Sequence, residues 1–124
     1  MHELSYATSI LDTILNTVKE QEKDGKKVKK VSEINLEVGK LTFINIEQLK
    51  FAFEVIAEGT ICENAKINVK FIKPLAVCRD CGYVGDIKAE DEFEIYCPKC
   101  NSMNLKFKGG KEFNIKNIVV EFED

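Results

Sequence analysis

The sequence contains few of the features on which enzymes and membrane proteins depend. It has one histidine, His2, and no apolar run close to the length that crosses a membrane. Its start lacks the basic residues and continuous apolar stretch of a secretion signal. No general base or nucleophile is evident, so we do not expect an enzyme. We expect a cytoplasmic protein without a membrane partner.

The chain also has fewer basic than acidic residues. Its net charge is −3 at neutral pH, with 31% charged residues. The one basic stretch, residues 23–30, is interpreted as a charged loop between two periodic segments. Proteins that follow phosphate backbones need clustered Lys and Arg, so a nucleic-acid partner is not expected. Hydrophobic residues make up 44% of the 124 positions, enough for one modest core with a small additional module.

Hydrophobic periodicity predicts two helices and three main strands. Apolar residues recur at spacings of three and four over residues 4–18, and again from Leu49 to Ile56. Asn45, followed three positions later by Gln48, resembles the capping box that begins a helix. Strict alternation predicts strands over 31–38, 67–71 and 113–122. In the last of these the alternation changes phase near residue 116, which suggests a bulge.

These elements indicate an α+β fold. We expect a small mixed three-stranded sheet with two helices. The pairs Cys78-x-x-Cys81 and Cys97-x-x-Cys100 indicate that a zinc-ribbon-like module is inserted into it. Residues 1–74 and 109–124 would form an α/β domain, and residues 75–108 the zinc-binding module. The C-terminal strand should return to the first sheet. The module contains few apolar residues, so a metal is expected to take the place of a core.

Four of the five cysteines form two C-x-x-C pairs, at Cys78, Cys81, Cys97 and Cys100. Such pairs turn two sulfurs toward one ion, and four thiolates select zinc or iron. Gly82 and Asn101 follow the two pairs and tolerate the left-handed conformation that these turns need. A closed four-sulfur site has no open position for substrate, which favours structural zinc. A rubredoxin-like iron site and a redox dithiol pair are the alternatives.

The fifth cysteine, Cys62, stands apart from both pairs. It follows the second predicted helix, and no internal histidine exists to activate it. We interpret Cys62 as a small packing residue.

The N-terminus combines groups that can chelate a metal ion. The amine of Met1, the backbone nitrogen of His2 and its imidazole could bind one ion through a five- and a six-membered ring. Glu3 could supply a fourth donor. Nitrogen-rich planar donor sets suit Ni(II) or Cu(II).

In combination, these features resemble the HypA/HybF family of nickel metallochaperones. The matching segments run nearly end to end, and they are Met1-His2-Glu3-Leu4-Ser5, Glu37-Val38-Gly39-Lys40-Leu41, Leu49-Lys50-Phe51-Ala52-Phe53-Glu54, Gly59-Thr60, Ala65, Cys78-x-x-Cys81-Gly82, Cys97-Pro98-x-Cys100 and Gly110-Lys111-Glu112-Phe113. Because the segments occur in the family's order, their combination is far more specific than any single segment.

The resemblance implies a nickel-binding α/β domain with Met1, His2 and Glu3 at the nickel site, and a zinc domain with the four paired cysteines as ligands. It also implies transfer of Ni2+ for maturation of [NiFe]-hydrogenase, or in some bacteria of urease. The implied partners are a HypB-type GTPase and the hydrogenase large-subunit precursor. We expect a monomer or weak homodimer.

One departure from the family pattern concerns the zinc loops, which in some members contain histidines that assist nickel. This chain has none there, so a further nickel ligand would have to come from another group, with Asn45 and Glu47 as candidates. A different function also stays open: a zinc-ribbon adaptor that binds a protein or nucleic acid without nickel transfer.

Overall fold

The computed structural model describes residues 3–89 and 94–124. By packing, the chain divides into two compact units. The first comprises the chain up to Leu36, Ile44–Asn68 and Ile115–Asp124. The second comprises Glu37–Phe43 and Val69–Asn114. None of the helices in the described part of the chain is both long and apolar enough to cross a membrane.

In the described residues the elements follow one another in the order helix, strand, helix and then seven strands. Their bounds are α1 Glu3–Glu22, β1 Val28–Gly39, α2 Ile46–Ala57, β2 Lys66–Ile72, β3 Leu75–Cys78, β4 Val84–Gly85, β5 Lys88–Ala89, β6 Ile95–Tyr96, β7 Leu105–Lys108 and β8 Phe113–Phe122. A short 3-10 turn, Lys40–Thr42, follows β1.

Both predicted helices are confirmed, and each buries one stripe. The buried side chains of α1 are Ala7, Ile10, Leu11, Ile14 and Val18, and those of α2 are Leu49, Phe53 and Ala57. Helix α2 begins as predicted, because the side chain of Asn45 accepts a hydrogen bond from the Gln48 N–H at 3.1 Å. The two helices pack against each other.

The larger sheet has the strand order β2-β1-β8, which confirms that the C-terminal strand returns to the first sheet. Strand β8 runs antiparallel to β1. Ser32 bonds to Val119, whereas Asn35, which is later in β1, bonds to Asn117, which is earlier in β8. A helix connects β1 to β2, the connection typical of parallel neighbours. The expected α+β fold with two helices and a small mixed sheet is therefore confirmed.

Burial along the strands follows the predicted alternation in two of the three. Ile34, Leu36 and Val38 of β1 are buried, and half-buried positions in β8 change phase after Ile115 as expected. Strand β2 differs, because Ile67 is buried while Phe71 is 55% exposed.

The second unit contains two small antiparallel sheets, one of order β4-β3-β7 and one of β5 with β6. Its apolar cluster consists of Leu41, Ala76 and Ile87, with Phe43, Ile95 and Leu105 packed around them. The unit therefore has a small apolar core, and the expectation that a metal takes the place of a core in residues 75–108 stays a prediction. Leu41 and Phe43 come from far upstream in the sequence and complete a core that residues 75–108 could not build alone.

Candidate metal centre

The structure brings the four paired cysteines together. Their sulfurs all lie within 4.8 Å of one another. The Sγ atoms of Cys78 and Cys100 are 3.6 Å apart, as are those of Cys81 and Cys97. A tetrahedron with metal–sulfur bonds of about 2.3 Å has edges of about 3.8 Å. The sulfur separations therefore fit one tetrahedrally coordinated ion.

Two turns of the same conformation hold the sulfurs in place. In the first turn, the Gly82 N–H donates to the Cys78 carbonyl at 3.0 Å. In the second, the Asn101 N–H donates to the Cys97 carbonyl at 2.9 Å. Gly82 and Asn101 have φ of +78° and +62°, the left-handed conformation predicted for both.

The two turns also share a second backbone hydrogen bond at equivalent positions. The Cys78 N–H donates to the Tyr83 carbonyl, and the Cys97 N–H donates to the Ser102 carbonyl, each at 2.8 Å. Each cysteine pair is thus anchored by its first member, and both of these anchoring cysteines are buried.

Backbone N–H groups favour the thiolate at these two buried sulfurs. The N–H of Cys81, together with that of Asp80, outweighs the effect of burial and lowers the pKa of Cys78 to about 7. Burial opposes ionisation of Cys97, but the N–H groups of Cys100 and Lys99 prevail and lower its pKa as well. Hydrogen bonds to the charged form have this effect in general.

The pKa values of the two other thiols, Cys81 and Cys100, are raised. The Tyr83 N–H favours the thiolate of Cys81, and the Ser102 N–H that of Cys100. Loss of solvent and the neighbouring sulfurs nevertheless raise both pKa values, that of Cys100 to about 12. Without a cation the cluster thus resists holding four negative charges. A divalent cation would remove this repulsion, which is the electrostatic behaviour expected of a metal site.

A polar network connects the two turns outside the sulfurs. Asp80, within the first pair, accepts hydrogen bonds from the Ser102 hydroxyl and from the Asn104 side-chain amide, the latter at 3.3 Å. Ser102 Oγ in turn accepts from the Asn104 N–H at 3.0 Å. No motif of the sequence singled out Asp80, Ser102 or Asn104. The signal that could have indicated them is a polar side chain inside one C-x-x-C pair and another just after the second.

At the N-terminal site, the described residues begin with Glu3, and Met1 and His2 lie outside them. Glu3 is the first residue of α1, and its Oε2 accepts a hydrogen bond from the Asn45 N–H at 3.3 Å. One of the two candidate further ligands, Asn45, is thus adjacent to the predicted nickel-binding segment. The other, Glu47, is exposed in the first turn of α2.

The fifth cysteine behaves as a packing residue. Cys62 is 1% exposed, and burial raises the pKa of its thiol to about 11. It therefore remains a protonated thiol at neutral pH. It is absent from the four-sulfur cluster among the described residues.

Comparison with known sequences decides the family. Residues 1–120 match the family described as hydrogenase/urease nickel incorporation, metallochaperone, HypA. The chain belongs to the HypA family. This confirms the resemblance seen in the sequence, and the match includes both the N-terminal segment and the four cysteines of this HypA-family chain.

Curated HypA relatives match over their whole length. The hydrogenase maturation factor HypA of Methanocaldococcus jannaschii is 70% identical over 124 residues, and that of Methanococcus vannielii is 64% identical, with 100% of each chain covered. The HypA of Methanothermobacter thermautotrophicus is 36% identical over 128 residues, again with full coverage of both chains.

Two solution structures share the fold. The nickel metallochaperone HypA of Helicobacter pylori superposes with a TM-score of 0.54 at 24% identity, covering 97% of both chains. A second HypA structure gives 0.56 at 22% identity, covering 91% of this chain and 93% of the other. At these identities the likeness supports the fold alone.

Proposed function

We propose that this HypA-family chain binds Ni(II) at Met1, His2 and Glu3 and delivers it for maturation of [NiFe]-hydrogenase, with urease as a further recipient. The observation that carries the proposal is the family match over residues 1–120, which begins at the N-terminal segment. Full-length relatives named hydrogenase maturation factor support it. In this role the protein binds and transfers its cargo and turns over no substrate.

The four-cysteine cluster is proposed to hold one structural Zn2+ through Cys78, Cys81, Cys97 and Cys100. The sulfur separations of 3.6 Å and the all-thiolate donor set support zinc or iron. Zinc has no redox chemistry, and a four-sulfur site leaves it no open position. The ion would therefore hold the two turns together and take no part in nickel transfer.

Substitution of one anchoring ligand tests the zinc assignment. Cys97→Ser should lose about one zinc per chain and loosen residues 75–108, because three thiolates no longer close the site. Elemental analysis and amide hydrogen exchange measure the two effects. Cys62→Ala is the matched control and should keep its zinc. Stoichiometric zinc in Cys97→Ser would show that the ligands are wrong, and a coloured protein rich in iron would favour the rubredoxin-like alternative.

The nickel site is tested by changing the amine and the imidazole separately. Residues added before Met1 remove the terminal amine, so that variant should bind Ni(II) more weakly and with a changed absorption spectrum. His2→Ala should bind more weakly still, since it loses the single imidazole. Affinity should fall as pH drops, because protons compete for both donors. Nickel titrations by absorption and calorimetry, with zinc content as the control, check these outcomes. Unchanged affinity in both variants would refute the site.

The partners proposed for this function are a HypB-type GTPase and the hydrogenase large-subunit precursor. A cytoplasmic location accompanies the proposal, since the cluster needs reduced thiols and the cytosol keeps thiols reduced. In this proposal an α/β domain of residues 1–74 and 109–124 binds nickel, and a module of residues 75–108 binds zinc.

A further inference from the structure

Helix α2 exposes two large apolar side chains on the face away from its buried stripe. Phe51 is 67% exposed and Val55 is 56% exposed. They lie four residues apart, so they stand one above the other on the same side of the helix. The buried side chains Leu49 and Phe53 lie on the opposite side. We call Phe51 and Val55 the α2 ridge.

Carboxylates flank the α2 ridge along its length. Glu47 lies four residues before Phe51, Glu54 three residues after it, and Glu58 three residues after Val55, and all three are exposed. Residues at these spacings are neighbours on a helix surface. Within the described part of the chain, none of the three forms an ion pair. Lys50 is also exposed on this helix, three residues after Glu47 and four before Glu54, so the three carboxylates and one ammonium give the border a net charge of −2. The α2 ridge is therefore an apolar strip with an acidic border.

This border decides what kind of molecule fits the ridge. A second copy of the chain would bring two acidic borders together, and an anionic membrane surface would be repelled in the same way. A basic, apolar protein surface gains from both features. We propose that the α2 ridge docks in an apolar groove, bordered by Lys or Arg, on a protein partner.

The position of the ridge connects it with the N-terminal segment. The N–H of Asn45, at the start of α2, bonds to Glu3. Phe51 follows Asn45 by six residues, a rise of about 9 Å along the helix. A partner seated on the ridge is thus held close to the segment proposed to carry nickel. Only this link to nickel delivery rests on the proposed function; the docking surface itself does not.

A pair of synthetic amphipathic helical peptides tests the docking surface on the zinc-loaded full chain. Both peptides carry a leucine face, bordered by lysines in one and by glutamates in the other. Calorimetry should show binding of the lysine peptide, and amide resonances of α2 should shift. Phe51→Ser and Val55→Ser should each weaken binding about tenfold, as expected for removing a buried apolar anchor. Glu54→Lys should weaken it severalfold at low salt.

The matched control is Phe71→Ser, which removes a comparably exposed phenylalanine on β2 and should change affinity less than twofold. Equal losses in Phe51→Ser and Phe71→Ser would overturn the proposal, as would equally tight binding of the glutamate peptide. Self-association of the chain that Phe51→Ser abolishes would show that the occupant is a second copy, against the proposal.

A cellular experiment tests the link to nickel delivery. Phe51→Ser should lower the nickel content of the hydrogenase severalfold when it is the only copy of the chain, while the purified variant binds nickel as tightly as the parent. Unchanged hydrogenase nickel would overturn the link. Failure of the proposed function would look different, because the parent chain itself would then have no effect on hydrogenase nickel.

Discussion

Asp80 places a negative charge between two cysteines of a cluster that is itself anionic when its thiols ionise. Such a position costs electrostatic energy unless the charge is used elsewhere. Here it is bound by the Ser102 hydroxyl and the Asn104 amide, and these hydrogen bonds hold the pKa of Asp80 below its usual value. At the scale of single residues, Asp80 ties the first cysteine turn to the second.

Removing this tie should speed metal loss without removing a ligand. Asp80→Ala should release the proposed zinc to a chelator about ten times faster, in line with other substitutions next to metal ligands. Because the lowered pKa keeps Asp80 ionised down to acidic pH, the difference should be the same at pH 6 and pH 8. Chelator-competition kinetics measure it. Asp12→Ala, on the exposed side of α1, is the control, and identical release rates in both variants would exclude the role.

At the scale of elements, Asn45 serves two helices at once. Its side chain caps α2, and its backbone N–H donates to Glu3 at the start of α1. The two interactions use different atoms, so the cap can be removed while the contact to Glu3 stays available. The start of α2 and the start of α1 are thus positioned by one residue.

Asn45→Ala should lower the free energy of unfolding by about 1 kcal/mol, because a Gln48 N–H loses its partner at the helix start. Urea denaturation monitored by circular dichroism measures the loss. Asn16→Ala, at an exposed position within α1, should be neutral or slightly stabilising. If both variants had the same stability, the cap would contribute nothing.

At the scale of the whole molecule, two glycines let segments distant in sequence approach each other closely. The Gly39 N–H donates to the Glu112 carbonyl at 2.6 Å, and the Leu41 N–H donates to the Gly110 carbonyl at 2.7 Å. A Cβ atom at Gly39 would lie 2.1 Å from the Gly110 oxygen. The end of β1, with the turn that follows it, and the segment before β8 therefore pair only because no side chain separates them.

Gly39→Ala should destabilise the folded chain by about 3 kcal/mol, since the backbone must move to relieve the clash. The melting temperature should fall by about 10 °C. Gly59→Ala is the control: nothing lies within 4 Å of its Cβ position, and its φ of +80° costs about 1 kcal/mol on substitution. Scanning calorimetry compares the two, and equal losses would show that the close approach is unimportant.

The sequence by itself determined the two helices, the three longest strands and the sulfur cluster, whereas the short strands β3 to β7 were not predicted from it. A period of 3.6 residues requires an amphipathic helix to bury one stripe, and α1 and α2 do so. Alternation and its change of phase in β8 are likewise local properties of the chain. The C-x-x-C spacing fixes each turn within a few residues, so the meeting of Cys78, Cys81, Cys97 and Cys100 needed only the two turns to face each other.

Only the tertiary structure decided which distant segments complete each other. Leu41 joins the core around Ala76, and Asp80 bonds to Ser102 and Asn104, although no local pattern predicts either pairing. No local pattern predicts the exposure of Phe51 either, because phenylalanine is a residue type usually found in the core. Burial, hydrogen bonding and close approach between segments depend on where the chain returns in space, and periodicity along the chain carries no information about that.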